Sequence, residues 1–107
     1  MVGSSKEYLN FILEQLSALE EISCREMMGE YILYYKDKIV GGIYDDRLLV
    51  KPVKSAINYM PSAEYELPYD GAKEMLLVDN VDSKDYLTGL FYAMFDELPV
   101  QKPKKKK

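Results

Sequence analysis

Residues Met27 to Pro52, MMGEYILYYKDKIVGGIYDDRLLVKP, constrain the fold more than any other stretch. Three runs of β-forming residues, Tyr31 to Tyr35, Ile39 to Tyr44 and Leu48 to Val50, are separated by Lys36-Asp37-Lys38 and by Asp45-Asp46. Branched and aromatic side chains suit a pleated, half-buried surface. Aspartate bonds its own backbone and tolerates left-handed conformations, so both gaps suit tight reversals. Reversals this short force antiparallel pairing, because a parallel pair needs a crossover of about a dozen residues. The stretch therefore reads as a meander.

The residues around it supply helices to cover one face. Ser4-Ser5-Lys6-Glu7 has capping-box spacing, with Ser4 as N-cap and Glu7 reaching back. Leu9, Ile12, Leu13, Leu16 and Leu19 then recur at helical spacing, widened by Tyr8 and Phe11, which predicts an amphipathic helix of about four turns. Its polar side carries Glu14, Gln15, Glu20 and Glu21, not the Lys and Arg of a membrane-surface helix, so the stripe is expected to lie on the sheet. Ile22 to Met28 leads into or forms a further strand, and Gly29 marks a bulge, turn or close approach. Gly41-Gly42, odd in a strand interior, is read as room for a helix or ring crossing the sheet, in preference to a notch for a ligand.

Beyond Pro52, Val53 to Met60 predicts a short helix stopped by Pro61. Residues 61–73 read as an ordered loop with a brief extended piece near Tyr65, and Glu74 to Val78 as a strand. Asp79 to Ser83 offers an N-cap for a final helix whose inner face is Leu87, Leu90, Phe91, Met94 and Leu98 and which Pro99 ends. Leu13, Leu16, Leu90, Phe91 and Met94 are expected to share one core. The domain is expected to span 1–99, followed by a disordered basic tail, 100–107.

Composition limits the chemistry. The chain of 107 residues has no histidine, which removes the commonest general base and metal ligand. Cys24 cannot form an intramolecular disulfide, in keeping with a reducing cytosol; it is read as a small buried hydrophobe rather than a reactive thiol. No apolar run approaches membrane length and the first residues carry no export signal, so a cytoplasmic location is expected. Lys102, Lys104, Lys105, Lys106 and Lys107 leave a formal charge of −9 on residues 1–101, which repels a phosphate backbone. DNA binding is therefore expected to be at most weak and sequence-independent, through those five lysines. No P-loop or calcium-loop spacing occurs, and no cofactor is expected.

Tyrosines remain, ten of them. Because a strand alternates faces, some of Tyr31, Tyr34, Tyr35 and Tyr44 must lie on the face away from the helices, where rings of large area and low entropic cost suit a protein partner. Tyr31, Tyr35 and Tyr44 on the meander, with Tyr65, Tyr69 and Lys73 on the loop, are the candidate partner-binding residues. The alternative is a small ligand- or metal-binding domain or enzyme using Asp45, Asp46 and Asp70 with the tyrosines.

MMGEYILYY (Met27 to Tyr35), GGIYDDRLLVKP (Gly41 to Pro52) and PYDGAKEMLLV (Pro68 to Val78), following an amphipathic helix, resemble in their succession the TfoX N-terminal domain family of TfoX/Sxy-like competence regulators. The resemblance implies an α+β, two-layer sandwich of order α-β(3)-α-β(2)-α, an antiparallel sheet with helices on one face, similar to secretion chaperones. It implies no catalytic residues. It points to a non-enzymatic protein-interaction module, an accessory regulator of transcription or competence whose partner is a transcription regulator or a second copy. The two-domain competence regulators continue into a helical C-terminal domain, whereas this sequence ends in the lysine tail.

Overall fold

The computed structural model describes residues 5–27 and 29–98; Ser4, Met28, Pro99 and the tail lysines lie outside them. Helix α1 is Lys6–Gln15, followed by strands β1 (Ile22–Met27), β2 (Glu30–Tyr35), β3 (Lys38–Ile43) and β4 (Leu48–Val50). Helix α2 (Lys54–Tyr59), strands β5 (Tyr65–Glu66) and β6 (Met75–Leu77), helix α3 (Lys84–Met94) and a 3-10 turn at Phe95–Glu97 complete the order. One antiparallel sheet runs β1-β2-β3-β4-β6-β5, an α+β architecture. The run from Ile22 is a strand paired along its whole length with β2, so four strands precede α2 where the resemblance implied three.

Both meander turns use two non-glycine residues in left-handed conformation: Lys36 and Asp37 at φ 52° and 68°, Asp45 and Asp46 at 54° and 56°. Positive φ at both central positions matches the right-handed twist of the strands joined, which is why such turns close hairpins. Tyr44 and Arg47 exchange backbone bonds of 2.9 and 3.0 Å across the second. Between Leu33 and Tyr34 the register slips, Leu33 facing Gly41 while Tyr34 faces Ile39; Val40 is the extra residue, and it is buried. A Cβ at Gly41 would collide with the backbone of Leu49 and Val50, and one at Gly42 would meet Tyr31 O at 2.5 Å and the Tyr44 ring at 2.8 Å. The glycine pair is thus there for packing: a neighbouring strand at one position, a ring at the other.

Alternation divides β2 cleanly. Tyr31, Leu33 and Tyr35 are buried under the helices, while Glu30, Ile32 and Tyr34 take the other face. The core joins them to Ile12, Leu16, Leu87, Leu90, Phe91 and Met94, with Leu13 packed at its margin. The N-cap of α1 is Ser5, one residue later than the capping-box reading: its side chain accepts from Tyr8 N, and its own N–H donates to Asp46 Oδ1 at 2.8 Å, pinning the helix start to the β3–β4 turn. Helix α1 is also shorter than the stripe suggested, but Leu19 still reaches the core from the turn that follows. Gln15, the buried polar side chain of this layer, donates to Val81 O at 2.9 Å and so ties α1 to the approach to α3. Ser83 caps α3 by accepting from Tyr86 N, as the sequence suggested. At α2 the N-cap, Val53, has no capping side chain; Glu97 instead accepts from Ser55 N and Oγ, both at 2.7 Å.

Candidate functional site

The sheet face opposite the helices is where these elements leave side chains for contact. Antiparallel partners share a face, so the register puts Ile32, Gly42, Leu49 and Leu77 on it, with Tyr44 and Arg47 on either side of the β3–β4 turn. Arg47 fastens the 66–70 segment above this face. Its guanidinium pairs with Glu66 at 2.5 Å and donates to Leu67 O at 3.3 Å, and its Nε donates to Tyr44 O at 3.1 Å. One planar group with five donors in a fixed fork thereby joins hairpin, strand β5 and loop. Pro68 is buried by this arrangement and Leu49 is fully buried, although Leu49 lies on the side away from the helices.

The result is an open basin of about 720 Å³. Ile32, Tyr44 and Pro68 line it together with Met27, Leu67 and Tyr69, whose side chains are 49, 46 and 62 % exposed. Glu30, Asp45 and Asp70 supply its acidic groups, and Glu30 Oε1 accepts from Asp45 N at 3.0 Å. The rings of Tyr44 and Tyr69 stand 6.2 Å apart at a 56° tilt, a geometry aromatic pairs favour. Burial pushes the Tyr44 hydroxyl above the usual tyrosine range, with Tyr69 and Glu30 adding to the shift. The hydroxyl is thus a hydrogen-bonding group at neutral pH, not a base.

Of the residues singled out from sequence, Tyr44 and Tyr69 meet in this basin. Tyr31 and Tyr35 do not, and their assignment to a partner surface is corrected: they occupy the helix-facing phase of β2, 7 and 3 % exposed, with Tyr35 packed edge-on to Phe95 at 5.2 Å and against Phe91. Tyr34, in the other phase, is on the open face. Tyr65 is exposed on the β5 edge and Lys73 is exposed on the loop, both outside the basin lining. Met27, Ile32, Arg47 and Leu67 were missed. The signal for Arg47 was a lone cation placed directly after a two-aspartate turn, on the same strand face as Leu49. The aspartates of the alternative reading are dispersed: Asp45 and Asp70 line the basin, Asp46 holds the start of α1, and among the described residues no three metal-ligating side chains cluster. Asp79 is engaged by the Tyr86 hydroxyl at 2.7 Å. Cys24 is exposed on β1, not buried as its residue type suggested.

Residues 14–94 match the TfoX N-terminal domain family, a span that includes all six strands and α3 and every basin residue. The chain belongs to the TfoX N-terminal domain family. It is similar to the uncharacterized 12.7 kDa protein in the trpE 5′ region of Spirochaeta aurantia, 30 % identical over 107 residues that cover 99 % of this chain and 93 % of that protein. No solved structure matches it. The family match begins at Glu14, so most of α1 precedes it, yet α1 occupies the helix layer of this TfoX-type domain as an integral part. Among the described residues no helix is long and apolar enough to cross a membrane.

Proposed function

We propose that this TfoX-type domain is a non-enzymatic protein-docking module, an accessory regulator whose contact surface is the basin on the open sheet face. The observation that carries the reading is the gathering of Met27, Leu67 and Tyr69, exposed and apolar, around a basin built on Ile32 and Tyr44. Apolar side chains collected in one place on a surface mark contact sites, whereas scattered ones do not. Tyrosine and methionine are also enriched at interface centres. The family's link to competence regulation makes a transcription regulator the partner of choice, and the acidic groups at Glu30, Asp45 and Asp70 favour one that presents a basic, apolar segment.

A photo-crosslinking residue at Tyr69, with a control at Tyr92, which is 65 % exposed on α3, tests this in cells. Adducts with one regulator are expected from Tyr69 and not from Tyr92. Equal adducts from both positions would remove the basin from the proposal. A thermal-shift screen with metabolites and metal ions tests the enzymatic or ligand-binding alternative: a ligand at 100 times its dissociation constant stabilises by about 2.7 kcal/mol. A reproducible hit lost in Tyr69→Ala would replace docking by ligand binding.

A further inference from the structure

The two edges of the sheet differ. Strand β5 ends one side with two residues, a short edge that offers little to pair with. Strand β1 ends the other with six, paired to β2 without a register break, free of proline, and exposed from Ser23 to Met27. Its outward groups can be read from one bond. Lys36 N donates to Glu21 O at 3.0 Å, so Glu21 is in a hydrogen-bonded pair with β2. Bonded and non-bonded pairs alternate along an antiparallel ladder, so Ser23, Arg25 and Met27 bond to β2 while the N–H and C=O of Ile22, Cys24 and Glu26 point outward.

From this edge we infer that two copies of the chain pair through β1, antiparallel, with Cys24 of each facing Cys24 of the other across a two-fold axis. Outward residues must meet outward residues, which restricts the register to Ile22, Cys24 and Glu26 against the same three in the second copy. Centring on Cys24 uses all of them, setting Ile22 against Glu26 and Ser23 against Arg25. Sliding by two residues one way opposes Arg25 to Arg25; sliding the other way opposes Glu26 to Glu20. Each slide also sets one of the three outward residues, Ile22 or Glu26, opposite a position beyond β1 of the other copy, and like charges directly opposite destabilise a sheet. Cys24 shares the face of its β2 partner Leu33, so both helix layers fall on one side of a continuous sheet, and both basins open on the other. The inference is independent of what occupies the basin.

The register makes Cys24 a built-in ruler. Cα atoms of a hydrogen-bonded antiparallel pair stand about 5.5 Å apart, inside the disulfide range of roughly 4.4–6.8 Å. Sedimentation equilibrium of the full chain in reductant is expected to return twice the chain mass. Diamide, which takes up the two electrons and two protons released, should then link the pair through Cys24. Cys24→Pro should restore the monomer mass with an unchanged circular dichroism spectrum, because the amide it removes points away from β2. Should that variant fail to fold, cysteine placement decides. With Cys24→Ser as background, Ser23→Cys should cross-link about tenfold less than native Cys24, since residues two registers apart exceed the reach of a disulfide. A mixture of Ile22→Cys and Glu26→Cys chains should link to each other. A monomer mass at near-millimolar concentration, a persisting dimer in folded Cys24→Pro, or equal cross-linking from positions 23 and 24 would overturn the inference.

Discussion

Beneath the helices, Ile12, Leu16, Leu33, Leu90, Phe91 and Met94 have no exposed surface, whereas on the opposite face Met27, Leu67 and Tyr69 keep about half of theirs or more. The same strands supply both faces, and β2 puts apolar and aromatic side chains on each, Leu33 with Tyr31 and Tyr35 on one and Ile32 with Tyr34 on the other. What differs is the cover. Three helices bring apolar side chains to one side; on the other a single arginine holds a short segment above Leu49. The covered face contributes most of the burial that opposes chain entropy. The open face is spared that role, and its apolar side chains are left for contact.

The largest test of this contrast is Leu16→Ala. Removing a fully buried leucine should cost roughly 2–5 kcal/mol in urea denaturation. A cost below about half a kilocalorie, within the range of surface changes, would mean that α1 is peripheral and the two faces are alike. Next comes Gly41→Ala, which forces β3 and β4 apart where both faces share their backbone; overpacking of this kind typically costs about 1–3 kcal/mol. An unchanged midpoint would show that the sheet can widen there. Arg47→Ala should cost roughly 1–2 kcal/mol, since bonds to charged groups are worth more than neutral ones but this side chain is partly exposed. Its sharper signature is local, with amide exchange of Leu67, Tyr69 and Asp70 accelerating while α3 amides stay protected.

A titration sharpens the covered side. Glu97 is held below the usual carboxylate range by the backbone and side-chain bonds it accepts from Ser55, with Lys54 assisting. A carboxyl whose folded pKa is depressed stabilises above its unfolded pKa and loses that contribution as pH falls through the folded value. Thermal midpoints of the wild type should therefore fall on acidification below the ordinary glutamate range more than those of Glu97→Gln. Parallel curves would remove Glu97 as the cap of α2. The smallest stability effect belongs to the open face. Tyr69→Ala should change stability by less than about 0.5 kcal/mol, the level of an ordinary surface substitution, while abolishing the adducts captured by a photo-crosslinking residue placed at Leu67 in the same basin. A cost of several kilocalories would show that this face is a second core.

The elements set by neighbouring residues were legible before any coordinates. Asp37 and Asp46 announced their turns, the Leu9-to-Leu16 stripe its helix, and the stretch from Asp79 to Ser83 a cap, which the structure places at Ser83. Ser5 displaced Ser4 as N-cap because a distant carboxylate, Asp46, takes its amide, and spacing along the chain carries no trace of that bond. The phase of β2 was undecidable for a related reason. Leu33 in one phase is matched by Ile32 in the other and both phases carry tyrosine, so alternation by itself left the phase open; in the structure α3 and the turn after it dock against Tyr35 and cover its set. Likewise the basin depends on Arg47 meeting Glu66 and Leu67, contacts across some twenty positions that local patterns do not encode.

The bond from Gln15 to Val81 closes a separation of 66 residues. Strands β1 to β4 are laid down in chain order, and each can pair with its predecessor as soon as it leaves the ribosome. Helix α1 has no such early neighbour on its α3 side. At translation rates of roughly 5–20 residues per second, its carboxamide and the adjoining flank wait roughly 3–13 s for their partner to be synthesised. At the start of that interval nothing covers its apolar stripe, and until α3 emerges only the growing meander and α2 can, so the nascent chain is most exposed to chaperones and proteases at the helix made before everything that eventually covers it.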